Sequence, residues 1–493
     1  MRGERILKFI YIWRKMLYLA GFLFGIIFHS ITPFEHYSYN FWIFISLGLI
    51  VIFSLFRKRH AYIFITCLAC VLGLLRFEMS VPARLSGNIE SASAVIQNVW
   101  RSPYGVNAHI LVEPENFWGV PSKLQVSLKD SIPIGTKITL DCAVKPQKQF
   151  ADESEYQCTM SYYYIGQMCG SVKTQITHPP AFWDLRDAFR LWREGANRRI
   201  SSVVAGDEGI LIAGLLYGER NLSPSAKDLF RRAGLTHIIA VSGSNFTLIV
   251  TVVFTILLGL GLWRHQAFTV TTAAMVLFFG FVGFSASVAR AAVMGWVLLL
   301  SRQLGRGYNI WYLCLLAASI LCLFDPWMLI FDAGFALSFL ATIGLVTYTP
   351  IFLERMSFLP AAWGLREAAA TTFAATLMTT PYISLIFDRV SLAGLFSNMV
   401  AVPVVPWAML FGFLSAAFGH VAPFINLPTL GLSKIIFLSA KIADICPWMD
   451  IHIQDMNLPL CLGMYALIVR LWFLLRKKND LYTKQSIYCN PPT

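Results

Sequence analysis

Residues 237–250 read HIIAVSGSNFTLIV, and the apolar run continues as TVVFTILLGLGL to Leu262. The run is long enough for a bilayer crossing of ~20 residues. A histidine and a Ser-Gly-Ser-Asn cluster nevertheless occupy its first half. Polar groups are expensive in hydrocarbon, so they mark a place where water or protein meets the helix. Gly243 weakens the helix at the same point and allows a break there. The stretch predicts a discontinuous membrane helix, wet at its start.

The composition agrees. Of 493 residues, 56% are hydrophobic and 14% charged, with a mean hydropathy of +0.60. A soluble chain of this length needs far more polar surface. The predicted fold class is a polytopic α-helical membrane protein of about twelve spans, with broken or re-entrant segments and one small extracytoplasmic OB-like β domain. The net charge of +13 is accounted for mainly by Lys and Arg at cytoplasmic loops, so it is weak support for nucleic-acid binding. Of ten cysteines, Cys67 and Cys70 fall inside a span, where helix packing is the default role. Cys142, Cys158 and Cys169 fall in the soluble insert; an oxidising surrounding would pair two of them, and spacing does not select which.

Five regions are expected: N-terminal transmembrane helices over 1–76, the β domain over 77–178, a basic interfacial helix over 179–206, a transmembrane channel domain over 207–476 and a cytoplasmic tail over 477–493. The first three spans are read at 16–32, 41–56 and 61–76; the first follows a basic start like a signal peptide's but lacks a small-residue cleavage site. RKRH at 57–60 and the basic N-terminus belong inside, which puts 77–178 outside. There SASAVIQNVW, NAHILV, KLQVSL and TKITLDCAV alternate with turn-rich stretches, a pattern of short strands in a small barrel or sandwich. A five-stranded OB-type barrel fits the length. Phe182, Leu185, Phe189, Trp192 and Ala196 recur at helical spacing in an arginine-rich segment, as in a helix lying on a membrane or docking beneath the β domain. Further on, Ser223, Pro224 and Gly234 punctuate a short helix as N-cap, first residue and C-cap.

The later spans are read at 235–262, 266–283, 286–304, 308–324, 331–352, 367–387, 402–420, 431–446 and 458–475, with both termini inside. Residues 390–403 are too short and too interrupted for a span and are read as a re-entrant or broken helix. Polar residues within these spans are the site candidates: His237, Ser242, Gly243, Ser244 and Asn245, then Arg290, Asp332, Ser338 and Asn398. Each alone has a bland reading: serines bond their own helix, and Arg290 and Asp332 snorkel at opposite helix ends. Lys434, Lys441 and Asp444 share a helix face by spacing. Together the broken segments suit a water-filled path. No G-x-x-x-x-G-K-[ST] or H-E-x-x-H occurs, so neither ATP hydrolysis, a metal site nor a cofactor is expected, and the chain reads as a non-enzyme. GFSA at 283–286, with His420 as a distant base, is a weak match to an intramembrane serine protease. Transport of another polar or anionic solute is the wider alternative.

AGLTHIIAVSGSNFTLI resembles the signature of the ComEC competence family, usually close to GLSHLLAISGLHVGLI. GLLYGERNLSPSAKDLFRRAG, FVGFSASVARAAVMGWVLLLSRQLGR, DPWMLIFDAGFALSFLATIGL and SNMVAVPVVPW continue the resemblance in order. YYYIGQMCGSVKTQI resembles the exit of the family's external OB-type domain, and about nine-tenths of the chain is covered. The resemblance implies a channel for single-stranded DNA in the bacterial cytoplasmic membrane, driven by a cytoplasmic helicase or single-strand-binding protein and fed by an extracytoplasmic DNA receptor. Trp100, Tyr104 and Phe150 are candidate stacking residues of a receiving OB domain. Two departures stand out. The metallo-β-lactamase-like domain that ends many members does not follow the last span, which implies a separate nuclease or DNA that arrives single-stranded. Asn245 stands near the place of the family's usual histidine.

Overall fold

The computed structural model describes residues 2–31, 61–80, 87–102, 105–112, 122–128, 136–145, 167–178, 192, 195–202, 204–218, 222–239, 243–282, 286–303, 310–360, 364–418, 423–441, 445, 447–453 and 456–489. The chain forms two compact units. One holds residues 1–191 with 322–331, the other 192–321 with 332–493.

In the first unit, helices α1 (Arg2–Ile31) and α2 (Ala61–Glu78) pack through small residues. A Cβ on Gly25 would lie 2.0 Å from the Cys70 carbonyl oxygen, and one on Gly73 would lie 2.1 Å from that of Phe22. Small residues allow this close backbone approach, a frequent device of membrane helix pairs. Strands β1 (Gly87–Ser102), β2 (Gly105–Val112), β3 (Ser122–Leu128), β4 (Lys137–Lys145) and β5 (Gln167–His178) close into a barrel in the order β1-β2-β3-β5-β4. Ile96 pairs with Ile110, and Ile110 pairs with Leu124 on its other side. All three are buried, so period-2 alternation fills one interior layer. Register shifts between Ile89 and Ala92 and between Ile96 and Asn98 interrupt the long β1 ladder, and such bulges bend a strand that must serve two neighbours. The second expected span, 41–56, and Cys158 lie outside the described residues.

The second unit is helical: α3 (Asp207–Tyr217), α4 (Pro224–Arg232), α5 (Thr236–Ile239), α6 (Gly243–Gly259), α7 (Arg264–Val282) and α8 (Ala286–Gln303) come first. Helix α9 (Ile310–Phe324) begins in this unit and ends in the first, the short α10 (Met328–Phe331) belongs to the first, and α11 (Ala333–Arg355) and α12 (Leu365–Phe387) follow in the second. A two-stranded sheet pairs β6 (Arg389–Ser391) with β7 (Asp450–His452). Helices α13 (Ala393–Phe418), α14 (Asn426–Ala440) and α15 (Leu458–Cys489) complete the unit.

Among the described residues, five helices are long and apolar enough to cross a membrane: Ala333–Arg355, Leu365–Phe387, Ala393–Phe418, Pro423–Ala440 and Leu458–Leu475. Between 11% and 33% of each apolar window is buried, so most of that apolar surface faces outward, as in a lipid-facing bundle rather than a water-soluble core.

Two expectations are corrected. Residues 390–403 are not re-entrant: β6 is followed by one helix that runs through Pro403 and Pro406 to Phe418. Proline is tolerated inside a membrane helix because neighbouring groups take up the freed carbonyls. The span expected at 431–446 ends instead at Ala440, with exposed Lys441 as its C-cap; Asp444, proposed to share its face, lies outside the described residues. The apolar helix Leu458–Leu475 coincides with the last expected span, and α15 continues beyond it to Cys489.

Candidate functional site

Arg290 lies one turn into α8 and is 3% exposed. Its Nη1 stands 3.5 Å from Oδ2 of Asp332. The other carboxylate oxygen accepts the Phe335 N–H at 3.1 Å, which makes Asp332 the N-cap of α11. One side chain therefore satisfies an orphan donor of the helix start and balances a buried cation. A Cβ on Gly334 would lie 2.9 Å from Asp332 Oδ1 and 3.5 Å from Arg290 Nη2, so only glycine leaves the pair its present seat. The sequence marks both charges as path candidates, with snorkelling at opposite helix ends as the bland alternative; the structure brings them together.

The opening stretch falls into two helices, α5 ending at Ile239 and α6 starting at Gly243. His237 is exposed on α5. Gly243, Ser244 and Asn245 form the first turn of α6, and Ser242 lies outside the described residues. The following turns anchor this start on two sides. Phe246 is fully buried, its ring 5.6 Å from that of Phe278, in a cluster with Val288 and Ala291 of α8. Ile249 packs instead against the larger core built from α3, α4, α5, α13 and α14.

At the start of α13, Gly394 meets Gly234, which follows α4 with φ +66°. A Cβ on Gly234 would come within 2.9 Å of the Gly394 Cα. Ser391 Oγ donates to the Arg232 carbonyl at 2.5 Å, and Ser397 Oγ to the Ser439 carbonyl of α14 at 3.0 Å. Asn398 is 8% exposed, and its Oδ1 has no hydrogen-bond partner among the described residues. Ser338 is half-buried on α11, where its carbonyl accepts the Thr342 hydroxyl at 2.9 Å.

Chain direction gives these features a common level. Short connections join α6 to α7, α7 to α8, α11 to α12 and α12 to α13, so successive helices run in opposite directions. The Arg290–Asp332 contact joins the starts of α8 and α11, the packing of Phe246 ties the start of α6 to α8, and α13 follows α12 back, so its start lies at the same end. Four helix starts thus share one end of the second unit. Helix starts carry partial positive charge, which favours anions near them.

Gly234, Ser391, Gly334 and Gly394 were missed as parts of this arrangement, though Gly234 was recognised as a helix terminator. The signal was present: each lies within four residues of a polar candidate or of a helix boundary. Of the expected stacking residues, Trp100 is placed on β1 opposite Asn107; Tyr104 and Phe150 lie outside the described residues, as do Ser285 and His420. No group of three or more metal-ligating side chains occurs among the described residues.

A family model described as "Competence protein" matches residues 215–478, over half of the chain. Among curated proteins, the chain is similar to ComE operon protein 3 of Bacillus subtilis (strain 168), at 27% identity over 255 residues. That alignment covers 50% of this chain and 32% of the relative, so about a third of the curated protein's length is represented. No solved structure matches.

Proposed function

The chain belongs to the competence protein family, and on that premise we propose that it is a channel passing single-stranded DNA across the bacterial cytoplasmic membrane during uptake for transformation. A polyanion charged at every nucleotide needs a polar route through hydrocarbon, with contacts weak enough to release each phosphate. The observation that carries this reading is the placement of four polar helix starts at one end of the second unit, two of them joined at buried Arg290. His237, Ser242, Gly243, Ser244, Asn245, Arg290, Asp332, Ser338 and Asn398 are assigned to the path or its wall.

In this reading the helices form about twelve spans with both termini in the cytoplasm. The five-stranded barrel is an OB-type module outside the membrane, a reading supported by its closure and strand order. It receives the strand through backbone contacts and stacking, with Trp100, Tyr104 and Phe150 as candidates. The chain acts as a conduit rather than an enzyme and uses no cofactor. A cytoplasmic helicase or single-strand-binding protein supplies the pull, and an extracytoplasmic receptor delivers DNA.

The test is entry of labelled DNA into the cytoplasm of cells carrying Arg290→Leu or Asn245→Leu at wild-type membrane levels. Uptake far below wild type is expected. Normal uptake in both would overturn the site assignment. Reconstituted protein that moves a small anion but never binds oligonucleotide would favour the solute-transporter reading.

A further inference from the structure

We propose that the exposed face of α4, extended by Lys441, is a docking strip for the phosphate backbone of single-stranded DNA at the rim of the polar helix starts; this rests on the DNA reading above. The strip begins with how α4 is fixed. Ser223 caps the helix by accepting the Ala226 N–H. It is itself held by Asp207, which accepts its N–H at 2.9 Å and its hydroxyl at 2.5 Å. At the other end the Arg232 carbonyl accepts Ser391 Oγ, beside the Gly234–Gly394 contact. The helix is therefore fastened at both ends, directly against the start of α13.

Its two faces differ sharply. Ala226 and Phe230 are buried, Leu229 packs against the same core, and Phe230 lies edge-on to Phe437 at 5.1 Å. Lys227 is exposed and Arg231 is 57% exposed at its side chain. Asp228 pairs with both Arg231 and Arg232. Helix α4 thus carries three cations and one carboxylate, which pairs with two of them. Lys441 adds to them: it follows Phe437 by one helical turn, and Phe437 is the residue that packs on Phe230. Lys441 is exposed at the end of α14.

The distribution of apolar residues selects the partner. A helix that lies in a membrane surface presents an apolar face to the acyl boundary, sunk ~5–10 Å below the headgroups. Here Leu229 and Phe230 point into protein, and no large apolar side chain of α4 is left facing outward. The exposed face offers charge and Ser225 without an insertion surface. Charge without base-reading geometry suits a phosphate backbone, which is bound independently of sequence and in a salt-dependent manner.

The experiment uses full-length protein in phosphatidylcholine nanodiscs and a fluorescein-labelled oligothymidylate, titrated over a range of salt. The triple variant Lys227→Gln, Arg231→Gln, Lys441→Gln is expected to bind about tenfold more weakly at low salt. Its plot of log affinity against log salt should flatten by about 2, at ~0.7 per lost phosphate contact. The charge-conserving triple Lys227→Arg, Arg231→Lys, Lys441→Arg should keep the wild-type slope. If wild type binds and the neutral triple keeps its affinity and slope, the strip is overturned while the DNA reading stands. If wild type does not bind at low salt, the DNA reading falls with it. If the neutral triple loses only its preference for phosphatidylglycerol discs, the strip is a lipid headgroup site and the proposal is wrong.

Discussion

Asp332 has two separable jobs, capping α11 and facing Arg290, and substitution can tell them apart. Asparagine caps helices about as well as aspartate but carries no charge. Asp332→Asn should therefore keep the cap and leave a buried guanidinium without this counter-charge, a change worth up to about 3–5 kcal/mol. Arg290→Met combined with Asp332→Asn should recover part of that loss. Thermal unfolding of the four proteins in detergent gives the coupling energy; strictly additive losses would mean the 3.5 Å contact contributes little. The glycines permit a second comparison. Gly234→Ala meets both a φ of +66° and a 2.9 Å contact with Gly394 Cα, so it should destabilise by about 1 kcal/mol or more. Gly394→Ala meets its nearest atom at 3.4 Å and should be milder. Equal melting temperatures for the two would contradict this packing. At this scale the residue types were legible and their partnerships were not. Arg290 and Asp332 announced themselves as charges in apolar sequence, but their helices are separated in the chain by α9 and α10, and no spacing rule reaches across that distance.

Elements were legible where one physical rule dominated. Helix α4 follows its local signals closely: Ser223 caps, Pro224 leads, and Gly234 turns the chain at positive φ. Helix α13 did not, because Pro403 and Pro406 are breakers by the rule for helices in water. In a membrane bundle the carbonyls of Met399 and Val402, which lose their partners to these prolines, can be met by neighbours, and the helix continues. Helix α4 also carries a pH prediction. A hydrogen bond from Arg231, with the charges of Arg231 and Arg232, holds the Asp228 carboxyl below the usual carboxylate range. A depressed carboxylate stabilises the fold above its unfolded value of ~3.9 and loses that contribution as pH falls through its folded value. The melting difference between wild type and Asp228→Asn should thus be flat from about pH 8 to 5 and shrink below about pH 4. A difference that persists unchanged in acid would show that the pairs add nothing on so exposed a helix.

Across the whole molecule, the two textures of the chain predicted its two kinds of architecture for different reasons. Alternation in Ala94, Ile96, Ile110, Leu124, Val126 and Ile138 is a local signal, and those side chains are the described buried layer of the barrel. Hydropathy is likewise local, and it identifies helices such as α11 and α12 to within a few residues. The shared level of the helix starts is not local: it follows from chain reversal repeated along the unit, and packing through Phe246 and Arg290 reveals it. The barrel provides a test on this scale because it has a buried interior of its own. If it receives DNA, residues 77–178 produced alone should bind single-stranded oligonucleotide, with affinity falling steeply as salt rises. Trp100→Ala should weaken that binding by about 1–3 kcal/mol if the ring stacks on a base. Fluorescence anisotropy across a salt series measures both. A folded barrel that binds nothing at low salt would be a structural cap, and the work of capturing the strand would then fall to the cationic helix and polar helix starts of the second unit.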